Sequence, residues 1–311
     1  MRRFILTVFA LAAVSFSVAA QDLNQITEIY NNGATALSNG EKEPAVQYFQ
    51  EALSLAQALG GDGEEIVAKC KEIIPELVVS IAKDLIKGGS YDAATAKLAE
   101  AAKLAKEYGN EELASEAQGM IPQVFMQQGA TLINARKFAE AAEAYRKVLA
   151  GDSTNGMAAL RLGMALAQSG KLDEAVEAYK QASANGQEKQ ALKQLSTVFL
   201  KKAATALKAK DYAGALASAV ESNSYLESAQ AYQIAGQSSQ LLKKESDAIG
   251  YFEKYLELKP DARNAGQIAY TVAALYHKAG NKDKAVEFYQ KASTDPTYGA
   301  EALKMAASLK K

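Results

Sequence analysis

The chain has 311 residues, 49% of them hydrophobic and 23% charged, with 35 basic residues against 36 acidic ones, one Cys, one His and no Trp. One Cys and one His exclude a Cys/His zinc set and an internal disulfide, and they leave Ser-His or Cys-His catalysis nothing but His277. No basic excess calls for nucleic acid, so that partner is not expected, and length alone reads as about two domains of roughly 150 residues each.

Met1-Arg2-Arg3 is a basic start followed by an apolar run from Phe4 to Val14, and Val18-Ala19-Ala20 precedes Gln21. This is the layout of a secretory signal peptide over 1–20, cut after Ala20. Its removal takes away Arg2 and Arg3 and moves the formal net charge from −1 to −3, two basic residues fewer. After Gln21 no run of about 18 apolar residues follows, so no transmembrane segment is expected in the mature chain. The expected compartment is the periplasm, where the lone Cys70 has no internal partner for a disulfide.

Self-similarity runs through the rest. Starting from Gly163, Ala175 lies twelve residues on, Tyr179 sixteen and Ala182 nineteen. The same small–Ala–bulky–small set starts from Gly33, Gly129, Gly236 and Ala273, and more weakly from Ala82 and Ala203. Seven repeats therefore cover about residues 25–296. Each reads as two helices joined by a short turn: Leu162-Gly163 and Leu166 form one apolar face, Ser169-Gly170 interrupts it, and Asp173-Glu174-Ala175 opens the next helix with acids in its first turn. Small residues at the starting position and twelve beyond it let two helices approach, and the aromatic ring sixteen beyond fills the space between them.

The first two repeats are longer, with starting positions 49 and 47 residues apart against 34 from Gly129 to Gly163. Gly60-Gly61-Asp62-Gly63 is expected to stop a helix, and Pro75 and Pro122 each to bend or break a long one. The expected division is 21–150, with extended helices, and 151–311, with compact repeats and an amphipathic tail from Gly299 to Lys311 as a C-terminal capping helix. The fold class is all-α.

Leu162-Gly163, Gly170, Asp173-Glu174-Ala175, Tyr179, Ala182 and Lys259-Pro260 resemble the signature of the tetratricopeptide repeat. The resemblance implies an α-solenoid of about seven helix hairpins that holds protein or peptide segments on a concave surface lined by each repeat's first helix. It places inward the helical face at −6, −3, +1 and +4 from each starting residue. Candidate groove residues on that face are Met126, Ile133, Met157, Leu160, Met164 and Leu200, then the amide-rich Gln230, Gln233, Gln237 and Gln240, then Tyr270. Methionines adapt to varied apolar partners. Chaperone-binding members of the family read a terminal carboxylate with Lys, Arg and Asn on these faces; here Lys83 is the one inward cation of that set, which argues against that activity.

No phosphate-cradling glycine loop, G-x-S-x-G or H-E-x-x-H is present. A non-enzymatic, exported scaffold for a protein or peptide partner in an envelope assembly is expected, with no catalytic residue, cofactor or metal. The alternative is a binding protein for an envelope polymer such as peptidoglycan or another glycan, which the 15 tyrosines leave open and the lack of Trp disfavours.

Overall fold

The computed structural model describes residues 22–310, and the leader expected over 1–20 lies outside the described residues. All regular structure among the described residues is helical. The described residues form two compact units, divided between Ala135 and Arg136. The border falls at the turn inside the third sequence repeat.

In the first unit α1 covers 22–38 and α2 Lys42–Leu59, and a 3-10 turn over Gly60–Gly63 leads into α3, Glu64–Lys87. Next come α4, Tyr91–Glu107, and α5, Glu111–Asn134. α2 packs on α3, α3 on α4 and α4 on α5, around a core that includes the fully buried Phe49, Ile74 and Leu98. The glycine run ends α2 as expected: Gly60 has φ 72°, and a Cβ on Gly63 would stand 2.2 Å from the Ala56 carbonyl oxygen.

Pro75 and Pro122 break nothing. α3 and α5 are both 24 residues long and run through them. Each proline forfeits one backbone bond, but around Pro75 the side chains of Ile74, Leu77, Val78 and Val79 are buried, and that packing holds the helix together across the gap. These long helices account for the wide spacing of the first repeats.

The second unit contains α6, Phe138–Gly151; α7, Gly156–Gln168; α8, Leu172–Ala182; α9, Glu188–Lys208; and α10, Tyr212–Tyr225. It continues with α11, Ala229–Leu241; α12, Glu245–Leu258; α13, Ala265–Lys278; α14, Lys282–Lys291; and α15, Gly299–Leu309. Each helix here packs on its successor. The ordinary helices have 10–14 residues, and α9, with 21, explains the 40-residue interval from Gly163 to Ala203. α15 lies on α14 with Ala302 and Ala306 buried and Leu303 outward, so the tail does cap the last hairpin.

The small-residue rule has a direct geometric basis. A Cβ placed on Gly33, Gly163 or Gly236 would sit 2.9 Å from Phe49, 2.6 Å from Tyr179 and 2.6 Å from Phe252, respectively. Where the starting residue is Ala203 the residue sixteen on is only Ala219, and the α9–α10 hairpin is held differently. There the Ser196 and Ser222 hydroxyls lie 3.1 Å apart, the Ser222 hydroxyl donates to the Ser196 carbonyl at 2.8 Å, and Phe199 stacks on Tyr225 at 5.7 Å.

A second rule emerges only from the backbone. Seven residues after each starting residue the chain turns left-handed: Gly40, Gly89, Arg136, Gly170, Lys210, Lys243 and Gly280 all have φ between 59° and 85°. In the turns at Gly40, Gly89, Gly170, Lys210, Lys243 and Gly280 the next residue's N–H bonds back to the carbonyl five before it, as in Lys171 to Leu166 (2.9 Å), Asp211 to Ala206 (2.9 Å) and Asn281 to Tyr276 (3.0 Å). These bonds satisfy carbonyls that the helix end would otherwise leave open. Glycine takes this conformation without steric cost; Arg136, Lys210 and Lys243 do not. A left-handed L-residue costs roughly 1–2 kcal/mol, and the freedom glycine adds to the unfolded chain offsets about 0.4–1 of it. Lys210→Gly is therefore expected to raise stability by about 0.5–1 kcal/mol, read as a higher urea midpoint with an unchanged slope. A fall in the midpoint contradicts the assignment.

Candidate functional site

The sequence-expected groove residues divide by burial. Met126 and Ile133 are half-buried on α5, in the first unit. In the second unit Leu160 is buried, and Leu200 packs against the cluster formed by Ala203, Ile234 and Ala235. Tyr270 stacks on Tyr298 at 5.1 Å and meets Tyr289 edge-on at 5.4 Å. Met157, Met164, Gln230 and Gln240 are exposed, and Gln233 and Gln237 are half-buried. Leu160, Leu200 and Tyr270 thus support the packing of the first helices, while the methionines and glutamines reach solvent.

The cause is the way first helices adjoin. α7 touches α9 and α9 touches α11 directly. On α7 and α9 the −3 residues, Leu160 and Leu200, are covered, and a face centred on −6, −2, +1 and +5 turns outward; on α11 the −2 residue is buried as well. On α7 that face is Met157, Arg161, Met164 and Gln168, all exposed. On α9 it is Thr197, Lys201, Ala204 and Lys208, of which Ala204 is half-buried and the rest exposed. On α11 Gln230 and Leu241 are exposed and Ile234 is buried. Met157 and Met164 are 38% and 44% exposed, an unusual state for two large apolar side chains two turns apart on one helix.

Arg161, Lys201 and Lys208 are the functional candidates that the −6, −3, +1, +4 reading missed. Moving that reading one residue along the helix, from −3 to −2 for Arg161 and Lys201 and from +4 to +5 for Lys208, finds them. Arg161 lies beside the Tyr145 hydroxyl: burial raises the Tyr145 pKa and the guanidinium partly opposes that rise. Lys83 on α3, the cation expected to face inward, is exposed and stands 3.8 Å from Glu116.

Other sites of chemical interest are less open to a partner. Cys70 is fully buried in α3, and burial pushes its thiol up to about 11, which leaves it poorly nucleophilic near neutral pH. A cleft of about 760 Å³ lies between α12 and α14, and the Glu287 carboxylate on its wall is already paired. Glu287 accepts from Lys284 at 3.0 Å and from Lys291 at 2.8 Å, and the Lys291 ammonium sits 4.2 Å from the centre of the Phe288 ring. Among the described residues no three His, Cys, Asp or Glu side chains are grouped to hold a metal ion, and no helix is long and apolar enough to cross a membrane.

Residues 126–188 match one profile described as tetratricopeptide repeat, and residues 266–294 match another. No curated protein matches the chain. Among solved structures, the chain is similar to the MamA protein, 22% identical over 59% of this chain and 96% of that one with a TM-score of 0.38. It is also similar to YrrB, a TPR protein with an unusual peptide-binding site, at 20% identity over 58% of this chain and 89% of that one with a TM-score of 0.36. PilF of Pseudomonas aeruginosa is 22% identical over 60% of this chain and 82% of that one with a TM-score of 0.31.

Proposed function

We propose that the chain, two stretches of which match tetratricopeptide-repeat profiles, is a scaffold that holds protein or peptide segments on the face formed by α7, α9 and α11 and performs no chemistry of its own. The observation that carries this reading is the exposed pair Met157 and Met164, set on a helix whose remaining apolar side chains, Leu160, Leu162 and Leu166, are buried. An exposed apolar surface on a packed helix is stabilised when a partner covers it, and thioether side chains fit partners of different shape. The basic start, apolar run and Ala20-Gln21 junction support export and work in the cell envelope.

The test is cross-linking in cells, with a photoreactive residue in place of Met164 and mass spectrometry of what it captures. Specific protein adducts are expected, and the double substitution Met157→Glu with Leu241→Glu, both at exposed positions, is expected to abolish them while the unfolding midpoint moves by no more than about 0.5 kcal/mol equivalent. Adducts that persist in the double variant contradict docking at this face. Retention on washed peptidoglycan sacculi in place of protein adducts would favour the glycan-binding alternative. Cleavage after Ala20 is checked by the mass of the protein recovered from the periplasmic fraction.

A further inference from the structure

We propose that the α7–α9–α11 face takes an acidic peptide segment interspersed with apolar side chains, an inference that names the partner's chemistry and rests on the docking function above. The charges of the second unit are sorted between its two kinds of helix. The first helices of its hairpins, α7, α9, α11 and α13, contain seven lysine and arginine residues against one acid, Glu188 at the start of α9. The second helices, α6, α8, α10, α12 and α14, contain twelve acids against seven basic residues. In a chain whose overall charge is −1, the −6, −2, +1 and +5 positions of α7, α9 and α11 hold Arg161, Lys201 and Lys208 and no acid.

Sorting extends to individual cations. Lys202 pairs with Asp173 of α8 at 2.7 Å and Lys278 pairs with Glu245 of α12. These cations are met by acids of the second helices. Arg161, Lys193, Lys201 and Lys208 are exposed and none has a carboxylate partner among the described residues; Arg161 lies beside the Tyr145 hydroxyl of α6, which leaves its charge uncompensated. Arg161 and Lys201 occupy the same −2 register on neighbouring helices. Lys208 is seven residues beyond Lys201, about 10 Å along the helix axis, close to the span of three residues of extended peptide.

The apolar component is intercalated with the charge. Met157, Arg161 and Met164 are spaced four and three residues apart, so they share one face with the cation between the two thioethers. On α11 the half-buried Gln233 and Gln237 offer amide donors and acceptors to a peptide backbone. A segment with acids for the cations and aliphatic side chains for the methionines complements all three features. Single-stranded nucleic acid would need aromatic platforms for its bases, and none of the exposed −6, −2, +1 and +5 positions of α7, α9 or α11 is aromatic.

The experiment uses the full chain and fluorescein-labelled peptides: one alternating Glu with Leu and Met, a second with Gln at every Glu position, and an oligo-dT of similar length. Anisotropy is expected to show the acidic peptide binding about tenfold or more tighter than the Gln peptide, with affinity falling steeply as salt rises past about 0.1 M, where the Debye length is about 10 Å. The triple variant Arg161→Gln, Lys201→Gln, Lys208→Gln is expected to lose that preference with its thermal midpoint unchanged. Should the triple variant unfold, single Lys201→Gln and Lys208→Gln variants are each expected to show a smaller loss. Equal binding of the two peptides, no binding of either, a preference that survives the substitutions, or oligo-dT binding as tightly as the acidic peptide overturns the proposal. Cross-linking from position 164 is scored separately: adducts with no acid preference leave the docking function standing and remove only this inference, whereas absence of adducts removes the docking function itself.

Discussion

Tyr179→Ala is expected to lower the stability of the second unit by about 3–5 kcal/mol, the range for deleting a fully buried aromatic ring. The ring is 1% exposed between α7 and α8, and burial pushes its hydroxyl up to about 12. Across the hairpin it faces Gly163, which has no side chain to move into the space, so the void cannot close by local rearrangement. Urea unfolding followed by far-ultraviolet circular dichroism reads the effect. Because repeat arrays can lose their two-state character when one repeat is weakened, the same curve is expected to broaden or split. A loss below about 1 kcal/mol would mean that the ring is dispensable to the hairpin.

Gly163→Leu attacks the same contact from the other helix. Its Cβ alone would stand 2.6 Å from two carbons of the Tyr179 ring, so either the ring leaves its rotamer or α7 and α8 separate. The expected cost is about 1–3 kcal/mol, the usual range for overpacking. The two effects share one volume. Combined in Gly163→Leu with Tyr179→Ala, the new side chain partly fills the vacated ring space, and the double variant is expected to be more stable than Tyr179→Ala alone. A strictly additive double variant would show that glycine and ring act independently, contrary to their contact.

That glycine–ring pair was legible in the sequence, because a steric requirement between residues sixteen apart leaves its mark on residue type: Gly33 with Phe49, Gly163 with Tyr179 and Gly236 with Phe252. So were the hairpin count and the end of α2 at the glycine run. The left-handed turns at Arg136, Lys210 and Lys243 were not, since long basic side chains carry no turn signal and occupy that conformation only because the hairpin around them demands it. Pro75 misled for a related reason: local propensity argues for a break, and the buried side chains on either side of it overrule the propensity. The candidate face was legible in part. Periodicity located the exposed Met157 and Met164, but a single helix cannot report how much of its flank a neighbour covers. Leu160 therefore entered the expected groove and Arg161 stayed out of it, although a shift of one residue separates them.

The turn seven residues into each repeat also bears on how the chain is made and remade. The bonds that close it join residues five or fewer apart, and the helices it connects are neighbours in sequence. Little of the fold waits for distant segments to meet, so the loop-closure entropy that slows other topologies is small and each hairpin can form soon after it emerges from the ribosome. A gene encoding such a chain can gain or lose one hairpin by duplication or deletion with only the flanking contacts to mend.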